Sequence, residues 1–412
     1  MKTIFTALSP NLQKDDLKLS QHLIFRPKKW IHGKAEKELE ELLSQAFNVK
    51  KVSLYESGRT ALFTALKALD IKEGDEVILQ AYTCVAVPEP ILWLGATPIY
   101  VDIDNQSLNM DIEKLERKIS SRTKAIIVQH TFGNPADMEK IMNIARLKNI
   151  PVIEDCAHSI GAKYEGKALG TFGDMAFFSF GRDKVVSSVF GGALISNNEN
   201  LIAKIERGNR RYRYPSRIWV KRQLLHPTIS AMVKKTYNSL GLGKLILKLS
   251  RKFHLTSDAV QKTERSGGKP KFIGHKMPNA LASLAAHQLR KLAHFNHHRE
   301  KIAQIYQDKL DPRIPRQLRK NGSICLRYLI RVDKPAKLAK IAKKEKVILG
   351  DWYQQVIAPE GVDYEKIAFA PSQFPVASQV ASQSINLPTD INTNEKDAHR
   401  IVKIVNKFHD SL

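Results

Sequence analysis

Between about residues 35 and 200, short continuous apolar runs alternate with stretches whose apolar positions recur at helical spacing. Runs at 76–79, 98–102, 125–129, 151–154, 175–180 and 192–196 predict strands, and 60–69, 111–118 and 136–148 predict helices. This alternation implies an α/β fold, a large domain whose mostly parallel central sheet is flanked by helices. Ligands of such sheets bind where strands end and loops begin, so polar residues just after the runs are the candidates for chemistry.

The pattern breaks after residue 210. From 211 to 272 the chain is strongly basic and closes with Ser266-Gly267-Gly268-Lys269-Pro270. Within it, Leu242, Leu245, Ile246, Leu249 and Phe253 share one face of a predicted helix, with Lys244, Lys248, Arg251 and Lys252 on the other. A long helical stretch over 279–310 follows, then a mixed region ending in a helix over 395–408. The expected division is an N-terminal arm (1–34), a large domain (35–210), a basic helical insertion (211–272), and a connecting helix with a smaller C-terminal α+β domain (273–412).

Charge sharpens the picture. The 412 residues carry a formal net charge of +25, which points to polyanionic partners. More than half of that excess lies between Lys204 and Lys271, where the only acids are Glu206, Asp258 and Glu264. Solvated packing, capture of a substrate's diphosphate and docking on anionic lipid are the readings of this region. No zinc finger, recognition-helix pattern or aromatic-basic RNA motif accompanies it, so no nucleic acid is expected. Three separated cysteines, Cys84, Cys156 and Cys325, suit a reducing cytoplasm and predict no metal site. No signal-peptide core follows Met1, and no apolar run is long enough to span a bilayer, so the expected location is the cytoplasm; peripheral contact at the inner membrane face through 211–272 belongs to the lipid-docking reading alone.

Three motifs carry candidate chemistry, the second and third of them at predicted strand ends. Ser57-Gly58-Arg59 opens a helix, where backbone N–H groups, a hydroxyl and a guanidinium make a phosphate seat. Glu154-Asp155-Cys156-Ala157-His158 follows an apolar run, and a carboxylate there can keep a pyridine nitrogen protonated, as pyridoxal phosphate (PLP) requires. Ser179-Phe180-Gly181-Arg182-Asp183-Lys184 leaves a third run, and a desolvated lysine there forms imines.

With these motifs in this order, the chain resembles the DegT/DnrJ/EryC1/StrS family of PLP-dependent sugar aminotransferases. The carrying segments are S-G-R-T-A-L (57–62), G-A-T-P-I-Y-V-D-I-D (95–104), H-T-F-G-N-P-A-D (130–137), E-D-C-A-H-S-I-G-A (154–162), S-F-G-R-D-K (179–184) and I-N-L-P-T-D (385–390). The resemblance implies the aspartate aminotransferase-like fold type I. It implies Lys184 as the Schiff-base lysine and proton carrier, Asp155 as the pyridinium partner, His158 at the ring hydroxyl, and Ser179 with Ser57, Gly58 and Arg59 around the phosphate. Glutamate is the implied amino donor, a nucleotide-linked keto sugar the acceptor, surface polysaccharide or glycoconjugate biosynthesis the setting, and a homodimer the assembly.

Three features depart from the family pattern. Tyr82-Thr83-Cys84 stands where relatives stack an aromatic on the ring, so Tyr82 and Cys84 are candidates for the cofactor contact. Ile273-Gly274-His275-Lys276-Met277 replaces the G-x-N-x-R-M segment that reaches the neighbouring subunit, with Lys276 a candidate substitute. The insertion is longer than its counterpart in many relatives. A PLP-dependent sugar dehydratase would carry histidine in place of Lys184. A regulatory or binding protein that keeps the fold without the chemistry is the remaining alternative.

Overall fold

The computed structural model describes residues 2–238, 241–253 and 255–411. The apolar runs form a seven-stranded sheet: β1 (Lys51–Tyr55), β2 (Glu76–Gln80), β3 (Thr97–Val101), β4 (Thr123–Gln129), β5 (Val152–Asp155), β6 (Met175–Ser179) and β7 (Gly192–Ser196), in the order β1-β7-β6-β5-β4-β2-β3. The strands run parallel except β7, which is antiparallel to both β6 and β1. A parallel sheet must be covered on both faces, and the buried Ala125-Ile126-Ile127-Val128 of β4 shows why a continuous apolar run was needed there. Strand β1 lies outside the predicted set because its Lys-Val-Ser-Leu-Tyr has no continuous apolar run.

Helices complete both faces. On one side α2 (Ala35–Phe47) buries Leu39, Leu43 and Phe47, spaced one turn apart. On the other lies α3 (Gly58–Ala68), started by Ser57, whose hydroxyl accepts the Thr60 N–H at 3.3 Å. An N-terminal helix, α1 (Lys14–Ile24), is joined to the insertion's first helix, α4 (Arg217–Thr236), where Ser20 Oγ donates to the Leu224 carbonyl at 2.6 Å. Helix α5 (Leu242–Lys252) then packs on α4.

The stretch expected as one helix over 279–310 is two, α6 (Asn279–Leu289) and α7 (Leu292–Lys309), broken at Arg290 and Lys291. The reason is that its halves serve different cores. Leu281, Ala285 and Leu289 of α6 lie in the core under the large sheet, whereas Ile302, Ala303 and Tyr306 of α7 lie in a smaller core. That smaller core also contains the antiparallel pair β8 (Tyr328–Arg331) and β9 (Ser384–Leu387) and the closing helix α8 (Glu395–His409). The first residues are tied to this region as well, since Ile4–Phe5 pairs in parallel with Val347–Ile348. Among the described residues, no helix is long and apolar enough to cross a membrane.

Candidate active site

The C-terminal ends of the parallel strands share one edge, and a cavity of about 530 Å³ opens there. Ser57, Gly58, Arg59, Cys84, Asp155, His158, Ser179 and Lys184, all singled out in the sequence, line it.

One end of the cavity is the start of α3. Of its first-turn N–H groups, that of Thr60 is capped by Ser57, while those of Gly58 and Arg59 have no intrahelical acceptor and are available to an anion at the helix start. Backbone approaches are close here: a Cβ on Gly192 would lie 2.5 Å from the Gly58 nitrogen, and one on Gly58 would lie 3.0 Å from Ser179 Cβ. Arg59 departs from its expected place in this seat. Its guanidinium is turned into the insertion, where it forms an ion pair with buried Glu264, donates to the Ala259 carbonyl at 3.0 Å and lies 4.9 Å from the Phe272 ring centre. The helix start therefore offers the cavity backbone N–H groups and the nearby Ser179 hydroxyl, while the Ser57 hydroxyl donates to Glu56 at 2.9 Å and Arg59 links the turn to the insertion.

At the end of β5 the two adjacent carboxylates point to opposite faces, as strand geometry requires. Glu154 accepts backbone N–H groups of Gly170, Phe172 and Gly173 at 2.7–2.8 Å and holds that loop. Asp155 faces the cavity and accepts the Ala157 N–H at 3.0 Å. Burial pushes its carboxyl above the usual range, opposed by that N–H and by the charge of Lys184, so a cation beside it would be stabilised.

His158 is held as a neutral ring. Burial first, then the charges of Lys184 and Arg327, push it well below the ordinary imidazole range. Its Nδ1 accepts the Phe132 N–H at 3.4 Å, which places the ring proton on Nε2, 3.2 Å from the Tyr353 hydroxyl oxygen.

Lys184 lies past β6 on a turn in which its N–H donates to the Gly181 carbonyl at 3.1 Å. Burial lowers its amine to about 8, with Cys84 and Asp155 pulling the other way. The ammonium nitrogen lies 4.9 Å from the ring centre of Trp352. Trp352 also stacks on His158 at 5.7 Å and carries the Arg327 guanidinium 3.7 Å above its face. Both terminal nitrogens of Arg327 are buried and, among the described residues, have no hydrogen-bond partner.

Cys84 lines the cavity, and burial pushes its thiol up, away from thiolate chemistry. Tyr82, expected at the cofactor, is turned away: it is buried with its hydroxyl 2.8 Å from Ser384 Oγ and 3.2 Å from the Tyr353 carbonyl. Lys276, the candidate for the neighbouring subunit's site, lies 5.8 Å from the Tyr214 ring centre. Asn11, Trp352 and Arg327 are functional candidates that the sequence reading does not contain. For Trp352 the local signal is an aromatic pair, Trp352-Tyr353, directly after Gly350-Asp351.

The sequence model of the DegT/DnrJ/EryC1/StrS aminotransferase family matches residues 12–406. The chain belongs to this family. Over 174 residues it is 41% identical to GDP-perosamine synthase of Escherichia coli O157:H7, covering 42% of this chain and 48% of that protein, so the match spans about half the length of that relative. An uncharacterized protein of Methanocaldococcus jannaschii is 30% identical over 391 residues, 92% of this chain and 91% of that one. Among solved structures, PseC of Helicobacter pylori, an aminotransferase involved in the biosynthesis of pseudoaminic acid, superposes with a TM-score of 0.76 at 22% identity over the whole of both chains. The DegT/DnrJ/EryC1/StrS aminotransferases depend on PLP, and neighbours of this fold have been solved in PLP and pyridoxamine forms. The cavity fits that group: a buried carboxylate with one backbone donor, a buried amine lowered to about 8, and a helix start kept open by Gly58 and Gly192.

Proposed function

We propose that this chain is an aminotransferase that moves an amino group from an amino acid, glutamate in the first instance, to a nucleotide-linked keto sugar in surface polysaccharide or glycoconjugate biosynthesis. The observation that carries the reading is the convergence of the Lys184 amine, the Asp155 carboxylate and the start of α3 on one cavity. Relatives named for GDP- and UDP-linked sugars support the acceptor class.

When bound, PLP supplies an electron sink for charge developing at the carbon that bears the amino group. The protein's own groups divide the remaining work. Asp155 keeps a proton on the ring nitrogen, since an anion there is costly unless a cation faces it. Lys184 holds the cofactor and, as a free amine, takes the proton from the substrate carbon and returns it, because burial puts its pKa near working pH. Gly58 and Ser179 receive the phosphate, Ser57 shapes that turn through its bonds to Glu56 and Thr60, and neutral His158 donates from Nε2. With Cys84 in the place of the family's stacking residue, Trp352 is the aromatic side chain beside Lys184. Arg327, buried over Trp352 with its terminal nitrogens unpaired among the described residues, is the cation for the donor's carboxylate.

The family resemblance also supports a homodimer, which sedimentation velocity tests. The three cysteines are free thiols, in keeping with a cytoplasmic setting. The decisive assay loads the protein with PLP, adds glutamate, and then offers a panel of GDP- and UDP-linked keto sugars. The reading predicts 2-oxoglutarate in the first step and an aminated sugar in the second. A protein that takes up no PLP and retards DNA would be the regulatory alternative.

A further inference from the structure

Helix α5 wears its large apolar side chains on the outside. At about 100° per residue its positions fall on three faces. Leu242, Leu245, Ile246 and Leu249, continued by Phe253, make one; Lys244, Lys248 and Lys252 make the second; Gly243 and Ser250 make the third. The third faces the protein, for Gly243 and Ser250 are the buried positions of the helix. Gly243 lies so close beneath α4 that a Cβ there would be 2.8 Å from the Val233 carbonyl oxygen. Leu242, Leu245, Leu249 and Phe253 are 40–63% exposed. A surface helix ordinarily turns such residues inward, so this face is built for an external partner.

Charge identifies that partner. From Arg217 to Phe253 the chain has nine Lys and Arg residues and no Asp or Glu. A second copy on the same face would set two such clusters against each other, in a chain already carrying +25. Anionic phospholipid satisfies both the apolar stripe and the flanking cations. We propose that α5 docks this protein on anionic membrane, with Leu242, Leu245, Leu249 and Phe253 at the boundary of headgroups and acyl chains and Lys244, Lys248 and Lys252 among the headgroups. Leu247 and Arg251 of the same helix line the cavity that holds Lys184. Docking therefore brings the cavity wall within a helix diameter, about 10 Å, of the headgroup layer. An acceptor presented at the membrane surface would then meet the site there, a consequence that rests on the aminotransferase reading while the docking itself does not.

The test is co-sedimentation of the full-length, PLP-loaded protein with vesicles of phosphatidylcholine alone or with about 30% phosphatidylglycerol. The expected result is binding to the phosphatidylglycerol vesicles alone, weakened by salt. The variant Leu245→Glu/Leu249→Glu should lower it roughly tenfold or more while keeping its melting temperature and its reaction with glutamate. Equal recovery with both vesicle types, or with neither, overturns the proposal. So does sedimentation velocity in which this variant splits a larger species, since a second copy would then cover the face.

Discussion

The side-chain amide of Asn11 donates to the backbone carbonyls of Lys184 at 2.6 Å and Val185 at 2.8 Å, while its own oxygen accepts from buried Arg299 at 2.6 Å. A residue near the N-terminus thus fixes the loop that presents the amine. Ser9 adds a second tie, its N–H donating to Asp183 Oδ1 at 3.2 Å.

Asn11→Ala removes the partner of two carbonyls and of one buried cation. The expected cost is about 1–3 kcal/mol, read as a lower urea midpoint. Cofactor retention should weaken as well, because the lysine loop loses its anchor. Unchanged stability and retention would mean that the loop is held by other contacts.

The Lys184 amine at about 8 gives a pH dependence with a definite sign. Only the unprotonated amine attacks a carbonyl, so capture of PLP by the apoprotein should speed up as pH rises through about 8 and then level off. At pH 6 the free amine is about one part in a hundred. Stopped-flow absorbance on mixing apoprotein with PLP measures this, and a rate flat between about pH 6 and 9 would contradict it.

Much of this arrangement is legible in the sequence, and what is not has a common cause. Runs such as Ala125-Ile126-Ile127-Val128 announce a doubly covered strand, and the motifs at 154–158 and 179–184 announce the acid and the amine. Alternation along β5 decides that Asp155, not Glu154, enters the cavity. Arg59 reads as a phosphate ligand because its partner Glu264 lies in a distant insertion. Trp352 lines the cavity, Arg327 lies over its ring and Asn11 holds the Lys184 carbonyl, all from parts of the chain remote from the motifs, so no local pattern marks them. The amphipathic pattern of α5 is plain in the sequence, but which face meets the protein depends on the close approach of Gly243 to α4.

Arg327 tests how the amino donor is recognised. The residue is 3% exposed, its guanidinium lies over Trp352, and both terminal nitrogens are unpaired among the described residues. Arg327→Met should raise KM for glutamate roughly ten- to hundredfold, the worth of a charge-assisted pair. Single-turnover amination of the sugar from pre-aminated cofactor should change little, since no donor carboxylate is then present. An equal loss in both half-reactions would place Arg327 in the general architecture of the site.

The central claim is a covalent link between PLP and Lys184. Reducing the PLP-loaded protein with borohydride and mapping its peptides by mass spectrometry tests this directly. The account predicts one phosphopyridoxyl group, on Lys184, and none on Lys184→Ala. A label on another lysine, or undiminished labelling of that variant, would contradict it.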